Sequence, residues 1–281
     1  MNADELQKLW SQTLRSPTAN AERFERLAQA VVDVYDSGDT RFRQHIQNRF
    51  NSVTEQTSVV LDPEKFDLRT ARAFIADEIG FTSWDELIKS IESAPAGRYP
   101  ILFQYAIAAL WRGDFTNLEN TIGGPDVFDD QIKHWLDAGY FDEEPKTMAE
   151  AFSAACMLGH PKAATHLLDR GVDPYAGMRT GLAGFHYAAS SGRLDVIKLL
   201  VDRKIPMEVE NMYGGTVLGQ ALWSAINEHT GDHAEIVETL INGGAYVWPG
   251  TSEWWEQQPV PSPETKKRVA NALRTRDTDG A

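Results

Sequence analysis

Two histidines four residues apart, His229 and His233, stand among Glu228, Asp232 and Glu235. On a helix that spacing presents two imidazoles to one metal ion. Gly231 lies between them and favours a solvated loop leading into an acidic helix start. Cys156, the single cysteine, reads as a small buried hydrophobe rather than a nucleophile. No GxxxxGK[ST], GxGxxG, HExxH, CxxC or GxSxG occurs, so the usual phosphate, dinucleotide, zinc and acyl-transfer sites have no sequence support. No catalytic residue, cofactor ligand or metal ligand is assigned. The residues with more to offer are aromatic and acidic. Tyr175, Tyr187, Tyr213 and Trp223 are candidate partner-binding anchors, because Tyr and Trp bury much area at little entropy cost. Asp129, Asp130, Glu143 and Glu144 belong to a stretch from Asp114 to Glu144 with nine acids and one base, Lys133, a net of -8 within a chain of net -14. That patch suits docking of a basic partner. Its blander reading is a solvated loop and a helix start whose dipole favours Asp126, Asp129 and Asp130.

These residues need a folded frame, and 281 residues with 42% hydrophobic and 24% charged composition make one large domain or two small ones. The excess of 41 acidic over 27 basic residues repels phosphate backbones and argues against nucleic-acid binding. One cysteine permits no intramolecular disulfide, as in a reducing compartment. The start MNADELQKLW lacks the apolar core of a signal peptide, and no apolar run of about 18 residues occurs, so a cytoplasmic protein without membrane association is expected.

The first 97 residues read as amphipathic helices. Leu6, Leu9, Trp10 and Leu14 share a face, as do Phe24, Leu27, Ala28, Val31, Val32 and Tyr35, and a third helix carries Phe42, Ile46 and Phe50. A less periodic segment with Val59, Val60 and Leu61 ends at the AspPro of 62–63. Ala71, Phe74, Ile75 and Ile79 line a helix stopped by Gly80. Ser83 and Glu86 form a capping box before Trp84, Leu87, Ile88 and Ile91. SAPAGRYP at 93–100 is the linker candidate.

Beyond it a repeat of period 33 appears: Phe185 minus Phe152, Gly192 minus Gly159 and Asp202 minus Asp169 each give 33. Leu218 and Ala221 continue the register, Gly244 falls 40 after Lys204, and 103–122 holds a weaker early copy. FDDQIKHWLDAGY at 128–140 looks like an added helix. Each unit is a helix pair. Ala155, Ala188, Ala189 and Ala221 let first helices stack, while Leu167, Leu168, Leu199, Leu200, Leu240 and Ile241 fill the layer between units. In the tail, Ser262, Pro263 and Glu264 start a helix whose Val269/Leu273 stripe, with Trp248, Trp254 and Trp255, covers the last unit.

Gly181, Ala183, Gly184, Phe185, His186, Ala188 and Ala189, then LLDRGVDP at 167–174, resemble the ankyrin repeat, with Ala183 and Gly184 replacing the usual Thr and Pro. The resemblance covers roughly 101–248. GFTSWDEL and the helix before it resemble the N-terminal module of many bacterial ankyrin-repeat proteins, where a Gly-Phe-x-Ser-Trp turn precedes the repeats. The resemblance implies a protein-binding solenoid without shared catalytic residues or cofactor, and a backbone-bonding role for His186 between adjacent fingers. It places the register-equivalent sets Ala154/Tyr187/Gln220, Met157/Ser190/Trp223 and Leu158/Ser191/Ser224 on the concave groove, with Tyr175 and Tyr213 on neighbouring fingers.

The expectation is therefore an all-α protein: an N-terminal helical module (1–97), an ankyrin-type solenoid (98–248), and a Pro/Trp-rich segment with a C-terminal capping helix (249–281). Its function is non-catalytic recognition of a protein partner, a basic one by charge. The alternative is an enzyme or small-molecule binder whose aromatic and acidic pocket lies between the N-terminal module and the repeats, using Trp111, Tyr187 or Trp223. DNA binding through the helices around GFTSW is discounted, because residues 1–97 carry 16 acidic and 11 basic residues.

Overall fold

The computed structural model describes residues 1–16, 18, 20–53, 66–93, 100–177, 181–228 and 232–277. Val59 to Leu61, the AspPro at 62–63, residues 94–99 of the linker candidate, His229, Gly231 and residues 278–281 at the chain end lie outside them. Among the described residues the fold is all-α, with no strand. The chain divides into two compact units, Met1–Val127 and Phe128–Ala281.

The first unit holds α1 (Ala3–Leu14), α2 (Ala21–Asp36), α3 (Thr40–Val53), α4 (Leu68–Ile79), α5 (Trp84–Glu92), α6 (Ile101–Arg112) and α7 (Phe115–Ile122). The predicted stripes face inward: Leu6, Trp10 and Leu14 on α1, Phe24, Leu27 and Val31 on α2, Phe74 and Ile75 on α4 are all buried. Asn2 closes α1 with a capping box, and Gly80 ends α4 in the left-handed conformation at φ 93°. The expected box at α5 is altered. Ser83 Oγ accepts from the Glu86 amide, but the Glu86 carboxylate takes the Thr82 amide (2.9 Å) and hydroxyl (2.6 Å), because Thr82 offers two donors where the Ser83 amide offers one. Helices α6 and α7 pack against α4 and α1, so the weak early copy at 103–122 is part of this unit.

Helix α8 (Pro125–Asp137) leads into the second unit, where α9 (Pro145–Leu158) pairs with α10 (Pro161–Asp169), α11 (Gly184–Ser190) with α12 (Leu194–Asp202), and α13 (Val217–Asn227) with α14 (His233–Asn242). First helices stack on first helices through buried Ala155, Ala188 and Ala221. Gly184 explains one departure from the usual repeat: a Cβ there would lie 2.8 Å from the Phe152 ring, so the large aromatic of one unit takes the room a Pro would need. On the second helices Leu167, Leu200, Leu240 and Ile241 are buried, but Leu168 and Leu199 are only half-buried. Neighbouring helical positions point about 100° apart, so Leu168 and Leu199 turn partly out of the layer that Leu167 and Leu200 fill, whereas α14 is packed by α12, α13 and a C-terminal helix, and both Leu240 and Ile241 are covered.

Both ends are covered. Arg203 pairs with Asp169 (2.7 Å), and Arg170, also 34 residues after its partner, donates to the Leu136 carbonyl. Helix α8 thus stands where a preceding second helix would. At the other end α15 (Thr251–Gln257) and α16 (Pro263–Asp277) follow. Helix α16 lies on α14 with Val269 and Leu273 buried and Arg268 on Glu238 (2.6 Å). Trp255 is buried and its Nε1–H donates to the Lys266 carbonyl (3.0 Å). Trp248 and Trp254, expected in the same cover, are exposed instead; Trp248 lies in a loop, outside any helical face.

Candidate functional site

The loops between repeats are bonded to one another. His186 Nε2 lies 3.0 Å from the Val209 carbonyl, the Met212 amide donates to the Gly181 carbonyl (3.0 Å), and Glu208 Oε1 accepts from the Tyr246 amide (2.8 Å). Burial holds the His186 imidazole below its ordinary value, against the effect of its backbone contacts, so it serves as a neutral strut, in the place the repeat pattern implied. Asn211 Oδ1 accepts from the amides of Tyr213 (2.9 Å) and Gly215 (3.0 Å), a local turn that tightens the finger beneath Tyr213.

That tightened finger leaves Tyr213 80% exposed. Trp223 on α13 is 52% exposed, and its backbone carbonyl accepts from Asn227. Tyr246 and Trp248 are both exposed and meet edge to face at 4.9 Å. Apart from Met1, every exposed large apolar side chain among the described residues lies between Met212 and Trp254.

The other candidate residues divide. Tyr187 is half-buried, with Ser190 Oγ bonded to its carbonyl (3.1 Å). Tyr175 turns inward: its hydroxyl is buried without a hydrogen-bond partner among the described residues, and burial pushes the phenol up to about 12. Of the groove positions, Ala154 and Ser224 are buried, while Gln220 and Met157 are half-buried. The acids also separate. Asp129 accepts from the Ala163 amide (2.9 Å) at the start of α10 and lies 3.7 Å from His160 Nδ1, which ties it to the frame. Glu144 is half-buried beside the Thr147 hydroxyl (3.2 Å); Asp130 and Glu143 are exposed. Cys156 is buried, and burial pushes its thiol up, which suits a packing role. His233 is buried at the first residue of α14.

Met212, Tyr246 and Trp248 were not singled out by sequence as binding residues. The available signal was NMYGG and GGAYVWPG, segments where aromatics sit among glycines and have no helical face to join.

The first unit holds a cavity of about 240 Å³ whose wall includes Trp10, Phe42, Phe74, Glu78 and Tyr105. It draws on both sides of residue 97 but not on Trp111, Tyr187 or Trp223. Glu78 is nearly enclosed, with Arg49 Nε at 2.8 Å and Arg112 Nη2 at 3.3 Å from its two oxygens.

Residues 152–249 match the family model for Ankyrin repeats (3 copies). The match begins at Phe152 and leaves out 103–122. No curated protein and no solved structure matches the chain. Ankyrin repeats generally mediate protein–protein interaction. Among the described residues, no helix is long and apolar enough to cross a membrane.

Proposed function

We propose that this protein is a non-catalytic scaffold whose last two repeats seat a protein partner on Tyr213 and Trp223, flanked by Met212, Tyr246 and Trp248. The observation that carries the reading is the exposure of Tyr213 on a finger braced by Asn211, and of Trp223 on the α13 that follows it, beside loops joined through His186 and Glu208. Anchors on a preformed surface lose little entropy on binding. Tyr187 adds a half-buried groove contact, and Tyr175, half-buried with its hydroxyl turned inward, adds the remaining exposed part of its ring. The acidic junction adds long-range attraction for a basic partner through the charge of Asp129, Asp130, Glu143 and Glu144, of which Asp130 and Glu143 are exposed. The repeat region at 98–248, the N-terminal module ending in GFTSW and a bacterial origin belong to the same reading and rest on the resemblance, while the cytoplasmic setting rests on the single cysteine and the lack of a long apolar run.

The test is affinity capture from native cytosol with the full chain and with a Tyr213→Ser/Trp223→Ser variant of matched melting temperature. The reading expects a protein retained by the wild type and lost from the variant. Equal recovery on both removes these residues from the interface.

A further inference from the structure

The cavity of the first unit has an inner end and a mouth, set by exposure. Tyr105, Thr121 and Glu78 are buried, whereas Arg41 and His45 on α3 are exposed. Trp10, Phe74 and Tyr105 surround the interior, the Trp10 ring lying 6.5 Å from Phe74 and 6.2 Å edge-on to Tyr105. A cavity of about 150 Å³ takes benzene and drug-sized ligands need about 300–1,000 Å³. A volume near 240 Å³ therefore fits one ring with a short substituent.

Charge selects the substituent. In an acidic chain, α3 contains three arginines, one histidine and no acid. Arg43 donates to the Tyr35 carbonyl (2.8 Å) and covers its ring. Arg49 is held by Asp77 (2.6 Å) and Glu78. Arg41 makes no ion pair or side-chain hydrogen bond among the described residues. Glu78, the one carboxylate on the wall, has both oxygens taken by Arg49 and Arg112. The uncompensated charge is thus a guanidinium at the mouth, and a guanidinium pairs best with a carboxylate or phosphate. At the inner end the Tyr105 hydroxyl accepts from Thr121 Oγ1 (3.3 Å), which leaves its own proton available to donate. Burial keeps this phenol neutral by pushing it up.

We propose that the first unit binds a single-ring aromatic monocarboxylate, with its ring against Trp10 and Phe74, its carboxylate toward Arg41 and His45, and a ring hydroxyl accepting from Tyr105. The site is separate from the aromatic surface of the repeats and stands whether or not a protein binds there.

Titration calorimetry on the full chain with 4-hydroxyphenylacetate, phenylacetate and tyramine tests it. The expected result is saturable binding of 4-hydroxyphenylacetate at one per chain, with tyramine at least tenfold weaker because it brings a cation to Arg41. Arg41→Ala should weaken both acids about tenfold, and Tyr105→Phe should weaken 4-hydroxyphenylacetate about fivefold with little effect on phenylacetate. Melting curves check that both variants fold; Arg41 is exposed, so its variant carries the test even if Tyr105→Phe does not fold. Absence of saturable heat with either acid, tyramine binding as tightly, or unchanged affinity in Arg41→Ala would overturn the proposal.

Discussion

In the first unit Trp10, Phe74 and Tyr105 sit on helix stripes and turn toward one another around an interior space, while in the second Tyr213, Tyr246 and Trp248 sit in loops and stand in solvent. The residue types are alike; the local period differs. An aromatic on a repeating face is drawn into the core by burial worth about 1.5–3 kcal/mol for a large side chain. An aromatic in a braced Gly-containing turn has no such face and is held out by the backbone. Trp223 crosses the two cases: it lies on a helix, yet its position in the repeat faces away from the neighbouring layers and leaves it half in water.

The adjacent pair Trp254 and Trp255 gives the sharpest way to break this contrast. Trp255 is 0% exposed and bonded to Lys266, whereas Trp254 is 43% exposed. Trp255→Ala should cost about 3–5 kcal/mol in denaturant unfolding, and Trp254→Ala less than about 1 kcal/mol. Similar losses for both would mean that exposure does not distinguish frame from surface here.

A smaller effect separates the acids. Asp129→Ala removes an acceptor at the start of α10 and should cost about 1 kcal/mol, while Asp130→Ala should leave melting unchanged and slow association with a basic partner at low salt. A stability loss at Asp130 would place it in the frame.

The smallest effect concerns pH. The folded chain holds His186 below the 6.5 of a free imidazole, so the unfolded chain takes the proton first on acidification. Stability from this residue is present above about pH 6.5 and is lost as pH falls through the folded value. Wild-type melting temperature should therefore drop more between pH 7 and 5 than that of His186→Gln. Parallel curves would show that this histidine is not held neutral by the fold.

Much of the frame was legible in the amino-acid order because burial writes a period. Spacings of 33 located α9 to α13, a longer step of 40 to Gly244 located α14, and the cap stripe Val269/Leu273 was read directly. The site was less legible. Tyr175 and Tyr213 looked equivalent as finger tyrosines, but Tyr175 is drawn inward and Tyr213 is not; the difference comes from three-dimensional neighbours that no period encodes. Asp129 and Asp130 are adjacent and chemically identical, and only the approach of α10 separates them. The cavity was invisible for the same reason, since its wall joins α1, α2, α3, α4, α6 and α7 through residues far apart in the chain.

The central claim is that Tyr213 and Trp223 anchor a partner on a frame that does not need them. With the captured partner in hand, affinity and melting temperature of Tyr213→Ala/Trp223→Ala measured side by side test it most directly. The account predicts a loss of more than about 2 kcal/mol in binding, roughly thirtyfold in Kd, with melting within a degree or two of the wild type. Unchanged Kd would take both rings out of the interface, and a large fall in melting temperature would make them part of the frame; either result would contradict the account.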